Sequence, residues 1–275
     1  MKNFIRKQLE KLGINLSRSA MTLGLTPLSD IYTILNRLRP QNNGWELIRI
    51  GATGDGGYLI PDDLQGVRNC FSPGSDLLWD FENTLAKRYG IKSFICDSTD
   101  KRPPNLSELQ DFTEGWIGPA TVVGQAISVG DWILSKNLTD SDMILQMDIE
   151  GAEFLSVLAL SETDLLNFRI IVMELHFLEG LKNRWAFSLV YQPFFDKLLA
   201  HFDVVHLHPN NCCGTWKYAN VEFPRIIEVT LHRKDRAKVT LSESKIPHVL
   251  DSDCVPSNKP LSIDWELISP KGIRR

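Results

Sequence analysis

From Trp45 onward, short apolar runs alternate with stretches of helical periodicity, and this alternation restricts what the chain can fold into. Residues 67–71, 92–96, 121–128, 143–147, 169–175, 204–207 and 226–231 read as strands. Residues 77–89, 152–160 and 187–201 read as helices, the first of them ending at Gly90. Apolar strands separated by helices imply a mainly parallel sheet covered on both faces. Residues 45–50 and 58–60 flank the glycine-rich stretch 51–57 and read as a hairpin or strand pair. Ligands of such sheets bind beyond the carboxyl ends of the strands. The polar residues at those ends are Ser72, Asp97, Asp148, His176 and His208.

The two ends of the chain differ from its middle. Residues 1–40 hold seven basic and two acidic side chains, a charge of +5 that leaves −9 for the rest of a chain whose net charge is −4. Phe4, Ile5, Leu9 and Leu12 recur at helical spacing, so residues 1–16 are expected to form a basic amphipathic helix. That helix either caps the core with its basic face in water or docks on a membrane surface or partner. A second helix is expected over 29–39, capped by Ser29 and stopped by Pro40. Residues 236–275 carry four prolines and little periodicity and read as an extended tail. The division is therefore a basic extension (1–40), a main domain (41–235) and a tail.

Composition removes several function classes. At 43% hydrophobic residues the chain has enough apolar surface for a core. Its pI near 5.9 argues against a nucleic-acid partner held by bulk charge. No run approaches the roughly 18 apolar residues of a membrane span, and residues 1–16 lack the separate apolar run of a secretory signal. Five cysteines with no C-x-x-C argue against a disulfide framework and for a reducing cytoplasm. The adjacent Cys212 and Cys213 read as small hydrophobes rather than as a redox or metal pair.

Three segments could carry chemistry. Cys70-Phe71-Ser72-Pro73-Gly74-Ser75-Asp76 is a strand–turn–helix junction where backbone can approach a ligand, although it matches neither G-x-G-x-x-G nor a phosphate-binding loop. Asp97 either accepts the hydroxyls of a ribose or caps a turn. Met147-Asp148-Ile149-Glu150-Gly151-Ala152-Glu153 sets three carboxylates after a buried strand. They could take a proton, hold a divalent cation or position a cofactor cation, while Glu150 and Glu153 could instead favour the start of the next helix.

The Met147–Glu153 run resembles the D-x-E-G-A-E signature of FkbM-type methyltransferases that use S-adenosylmethionine (SAM). Gly54-Asp55-Gly56-Gly57-Tyr58 is similar to the upstream D-G-G-Y element of that family. Phe71-Ser72-Pro73-Gly74 with Phe81-Glu82 resembles its cofactor loop, Glu174-Leu175-His176 its E-x-H, and residues 246–251 its P-H-P-L-D tail. The resemblance covers about residues 45 to 255. It departs from the common E/D-x-G-x-G-x-G loop by retaining only Gly74. It implies a Rossmann-like class I methyltransferase sandwich: a seven-stranded, mostly parallel sheet with the last strand antiparallel. It further implies that Ser72 and Gly74 line the methionine part of SAM. Asp97 would bind the ribose, Ala126 would lie by the adenine, and Asp148 would face the transferred methyl.

The expected activity is O-methylation of a small-molecule or glycan acceptor, a hydroxyl on a sugar or glycoconjugate precursor. Removing that proton at neutral pH needs a general base or a Lewis-acid metal. His176 is the expected base, with Asp148 and His208 or Asn210 assisting. Asp148, Glu150 and Glu174 are the residues that would hold Mg²⁺. Trp185 and Trp216 could stack on a sugar ring, and Gly54–Tyr58 is either a lid or a plain hairpin turn. The alternative is a catalytically inactive binding module of the same fold, docked through its basic N-terminal helix.

Overall fold

The computed structural model describes residues 24–75, 78–98, 106–138 and 142–268. The expected amphipathic helix of residues 1–16 lies outside them. Helix α1 (Leu28–Arg37) follows Pro27, whose fixed φ of −55° suits a helix start. Ser29 therefore sits inside the first turn and is not the cap. Ile31, Ile34 and Leu35 of α1 are buried in the main core, so this helix belongs to the covering layer of the sheet rather than to a separate extension.

Strands β1 (Leu47–Gly51) and β2 (Gly57–Pro61) form an antiparallel hairpin. Strand β3 (Asn69–Pro73) leads to helix α2 (Asp80–Thr84), which runs on as a π-helical turn to Tyr89 and ends at Gly90 with φ +65°. Strands β4 (Lys92–Asp97) and β5 (Gln110–Glu114) follow. Next come two short strands, β6 (Trp116–Gly118) and β7 (Ala126–Ser128), and helix α3 (Val129–Ser135). The chain continues through β8 (Met143–Met147), α4 (Glu153–Ala159) and β9 (Phe168–Leu175). It then forms α5 (Gln192–His201), β10 (Phe202–Pro209) and β11 (Ile227–Arg233).

Seven of these strands form one sheet in the order β10-β11-β9-β8-β3-β4-β5. Strands β3, β4, β5, β8 and β9 pair in parallel, and β11, the last in sequence, runs antiparallel between β9 and β10. Every residue of β8 and β9 is buried, which explains their mainly apolar sequence, broken only by Gln146, Arg169 and Glu174. Alternate side chains enter opposite cores. Leu145 and Ile171 join α1, α3, α4 and α5, whereas Ile144 and Ile170 join the β1–β2 hairpin and α2. The second face is thus closed by a hairpin and one helix, not by helices alone.

One expected core strand is displaced. Residues 121–128 do not join the sheet; β7 pairs only with β6. The sheet edge is instead β5, whose Gln-Asp-Phe-Thr-Glu sequence buries Phe112 alone and so gave no apolar signal. The tail returns across the fold. Ser242–Glu243 pairs with Gln41–Asn42, and Ile268 is buried in the main core beside α1. Among the described residues, no helix is long and apolar enough to cross a membrane.

Candidate functional site

A cavity of about 460 Å³ opens at the carboxyl ends of the parallel strands. It is bordered by Gly74 and Ser75 after β3, Asp97 and Ser98 at β4, Gly115 after β5 and Asp148 after β8. His176 after β9, Asn210 after β10 and Ile226 before β11 complete the arc. Three of the five expected strand-end residues therefore meet here: Asp97, Asp148 and His176. Asp55, Gly56 and Tyr58 of the hairpin also line it, as do Cys254 and Val255 of the tail.

The other sequence expectations need correction. Ser72 is fully buried beneath the cavity and donates its hydroxyl toward Glu82 and Gln146 instead of lining the cavity. Ala126 lies in β7, away from the cavity wall; Trp116 and Ile117 of β6 border the cavity in that region. His208 is buried but faces the tail, with Nδ1 3.7 Å from Asp251 and Nε2 3.9 Å from Asp253. Trp216 is 2% exposed and belongs to the core, and Trp185 is exposed but does not border the cavity.

The backbone explains why small residues stand where they do. Gly74 has φ +80°, and a Cβ there would overlap the Asp148 carbonyl. Its amide donates to Cys96, and the Asp148 amide donates to Pro73. The ends of β3, β4 and β8 are thereby tied together around the cavity. Gly151, at φ +100°, admits the Phe177 ring, which any Cβ would displace.

The Asp148–Glu153 run orients a histidine. Glu153 is fully buried, and its Oε1 accepts the amides of Ile149 and Gly151 and lies 3.1 Å from His176 Nδ1. His176 Nε2 lies 3.5 Å from Glu150 and 3.8 Å from Asp148. Burial pulls the His176 pKa down, but the hydrogen bond and charge of Glu153, with Asp148 and Glu150 beyond, outweigh it and raise the pKa. Glu153 thus both stabilises the loop before α4 and fixes the imidazole.

Beside His176, Asp148 and Glu174 are within hydrogen-bonding reach of each other. Burial pushes Asp148 up to about 6, the His176 charge working against that rise. Glu174 is raised well above the usual carboxylate range by burial and by Asp148 and Glu228, although Asn210 donates to it. The hydrogen bond between the two favours ionised Asp148 and protonated Glu174. Donor atoms of Asp148, Glu174 and His176 all lie within 4.8 Å of one another and could hold a cation. His176 takes the place expected for Glu150, whose side chain is mostly exposed. An oxygen–oxygen–imidazole set is less particular to Mg²⁺ than an all-oxygen one.

Other cavity residues had no separate role in the sequence, Glu82 entering only through the resemblance of Phe81-Glu82 to the cofactor loop. Glu82 lines the floor with Tyr58 and Gln146; it stands beside the buried Phe81 and Leu85, and a carboxylate among buried apolar residues is a signal. Cys212 and Cys213 lie on the cavity wall, and partial burial with the adjacent Cys213 pushes Cys212 up to about 12. Cys254 comes from the aperiodic tail, which carries no pattern to place it. No protein-family model matches the chain, and no curated protein matches it.

Proposed function

We propose that this chain is a SAM-dependent O-methyltransferase of class I architecture, acting on a hydroxyl of a sugar or glycoconjugate precursor. The observation that carries the reading is the acidic lining of the cavity, in which burial raises the pKa of Glu82, Asp148 and Glu174 and an arriving cation would favour their ionised forms. Asp55, Glu82, Asp97, Asp148, Glu150 and Glu174 line it, and no Lys or Arg does so among the described residues. A nucleotide bound through phosphates would meet uncompensated repulsion there. A nucleoside carrying a sulfonium and an ammonium against one carboxylate is net positive and fits the charge. The strand order, with the final strand antiparallel and inserted, supports the same reading.

In this reading Asp97 accepts the ribose hydroxyls, and the Gly74–Ser75 turn brings backbone against the cofactor. Trp116 and Ile117 take the adenine role expected of Ala126. The cofactor supplies an electrophilic methyl group on sulfur. His176 Nε2 accepts the acceptor hydroxyl proton, with its Nδ1–H held by Glu153. Asp148 and Asn210 orient the acceptor. The resemblance to FkbM-type enzymes is what names a sugar hydroxyl.

Calorimetry with SAM and with S-adenosylhomocysteine tests the reading. Binding of both is expected. Absence of binding at about millimolar concentration of either ligand overturns it.

A further inference from the structure

One aromatic ring beside His176 is held outside the core by its own backbone. Phe177 directly follows that histidine and is 57% exposed. A single exposed apolar residue needs no explanation. This one stands at φ +55°, a left-handed conformation that is rare for a bulky side chain. Its surroundings impose it. The Phe177 carbonyl accepts from Tyr191 Oη at 2.6 Å and from the Gly180 amide at 2.9 Å, and the Leu178 amide donates to the Arg225 carbonyl at 3.1 Å. The ring edge lies against Gly151, where a Cβ would come within 2.4 Å of Cε2, and the ring centroid is 6.2 Å from that of His176. Backbone strain enforced by several contacts in this way clusters at functional sites.

The loop packed against that ring repeats the pattern. Glu150 borders the cavity, also has positive φ at +56°, and its side chain is 82% exposed with a carboxylate oxygen 3.5 Å from His176 Nε2. The mouth beside His176 therefore presents an aromatic ring from one loop and a carboxylate from the other. A pyranose carries the two matching surfaces, a face of C–H groups and an edge of hydroxyls. The C–H face suits the negative face of an aromatic ring. Neighbouring hydroxyls suit a carboxylate, whose oxygens only accept. No Lys or Arg among the described residues borders the cavity, so a phosphorylated or uronic sugar would meet repulsion there.

Resting on the reading above for what happens at His176, we propose that Phe177 and Glu150 form the acceptor subsite for an uncharged pyranose. Phe177 is the platform for its C–H face, and Glu150 accepts hydroxyls next to the one that faces His176 Nε2. The pair takes the stacking role expected of Trp185 and Trp216, neither of which borders the cavity. Recognition through one face and one edge fixes which hydroxyl meets the base. The exposed carboxylate makes the subsite selective for neutral sugars over uronic ones.

Saturation-transfer NMR on the full chain with S-adenosylhomocysteine tests the subsite. The probes are the methyl glycosides of glucose, galactose and mannose, each beside its uronide, at up to about 100 mM. At least one neutral glycoside is expected to take saturation from aromatic protons on the hydrogens of one sugar face, and its uronide to bind about threefold or more weaker. Phe177→Leu is expected to weaken that glycoside about fivefold or more and Phe177→Tyr less than about twofold, with S-adenosylhomocysteine affinity by calorimetry within about twofold in both. Glu150→Gln is expected to bring the neutral glycoside and its uronide to within about twofold of each other. A wild type that binds S-adenosylhomocysteine but none of the neutral glycosides overturns the subsite and leaves the cofactor reading intact. A glycoside that Phe177→Leu binds unchanged, or that wild type binds no better than its uronide, also overturns it. A wild type that binds the glycoside through Phe177 but not S-adenosylhomocysteine keeps the sugar subsite and removes the cofactor reading. The wild-type comparison of glycoside with uronide decides the matter even where a variant does not fold.

Discussion

Glu153 Oε1 lies 3.1 Å from His176 Nδ1, and the carboxylate making that bond is fully buried. The same oxygen accepts the Ile149 and Gly151 amides, so the loop that carries Asp148 and the ring of His176 share one anchor. This geometry leaves Nε2 as the ring nitrogen that faces Asp148 and Glu150. It assigns the tautomer by hydrogen bonding rather than by sequence position.

Glu153→Gln removes the strongest group raising the His176 pKa. The pKa of His176 is expected to fall, and a histidine-selective NMR titration reads this without any assay of turnover. For methyl transfer, the base must be deprotonated, so turnover rises with pH through an apparent pKa above 6.5 in the wild type, and this rise moves to lower pH in Glu153→Gln. His176→Ala is expected to lower kcat by about 10² or more, with S-adenosylhomocysteine affinity within about twofold. A full kcat in His176→Ala removes the base assignment.

Gly74→Ala tests whether the closeness of β3 and β8 shapes the cavity. The added Cβ would overlap the Asp148 carbonyl, and φ +80° disfavours any side chain. A loss of about 1–3 kcal/mol of stability is expected, read by denaturant unfolding, together with weaker S-adenosylhomocysteine binding. Gly90→Ala is the matched control. It also has positive φ, but nothing lies within 4 Å of the added atom, so it carries the conformational cost alone.

The readable part of the fold was the part buried on both sides. Strands β8 and β9 are mainly apolar because both cores claim alternate residues. Asp97, Asp148 and His176 were legible for the same reason, since each directly ends such a strand or follows it. Strand β5 was not legible, because an edge strand faces water and can be polar. His208 misled because strand-end position does not say which way a side chain turns: it faces Asp251, some forty residues on in an aperiodic tail. Ser72 misled in a related way, since the residue before the turn points under the cavity and Glu82 occupies the floor in its stead.

A second buried charge cluster predicts acid sensitivity. Asp63 is buried under Arg169, Arg236 and His232, with Arg236 Nε at 2.7 Å and His232 Nε2 at 3.1 Å. His232 is fully buried, and burial lowers its pKa to about 4 despite Asp63. The unfolded chain therefore binds this proton first as pH falls below about 6.5, and stability declines until about pH 4. His232→Gln is expected to flatten the stability–pH slope across that window, by up to about 3 kcal/mol, in urea titrations at several pH values. His176 and His208, whose raised pKa values act oppositely, are unchanged in both proteins, so the difference between the two slopes isolates His232.

Asp251 is the clasp that holds the tail over the strand ends. It accepts from His206 Nε2 at 2.8 Å and from the His248 amide at 2.8 Å, and the Asn211 side-chain amide donates to the Val255 carbonyl and accepts from the Val255 amide. Burial opposes ionisation of Asp251, but His206 and His208 hold its carboxyl far below the usual range. Asp251→Ala leaves the buried His206 of β10 without its carboxylate and loosens the tail, at a cost of about 1–3 kcal/mol. Hydrogen exchange is expected to accelerate over residues 248–258 and to stay unchanged in β8. Cys254 gives a chemical readout of the same opening. Its thiol is held protonated by burial and by Glu228, at 2.9 Å, so alkylation by iodoacetamide near neutral pH is slow in the wild type. In Asp251→Ala the tail leaves that environment and Cys254 alkylates faster, as counted by mass spectrometry. Unchanged exchange and unchanged alkylation would show that the other tail contacts, Asn211 with Val255 and Cys254 with Glu228 among them, secure the cavity wall without Asp251.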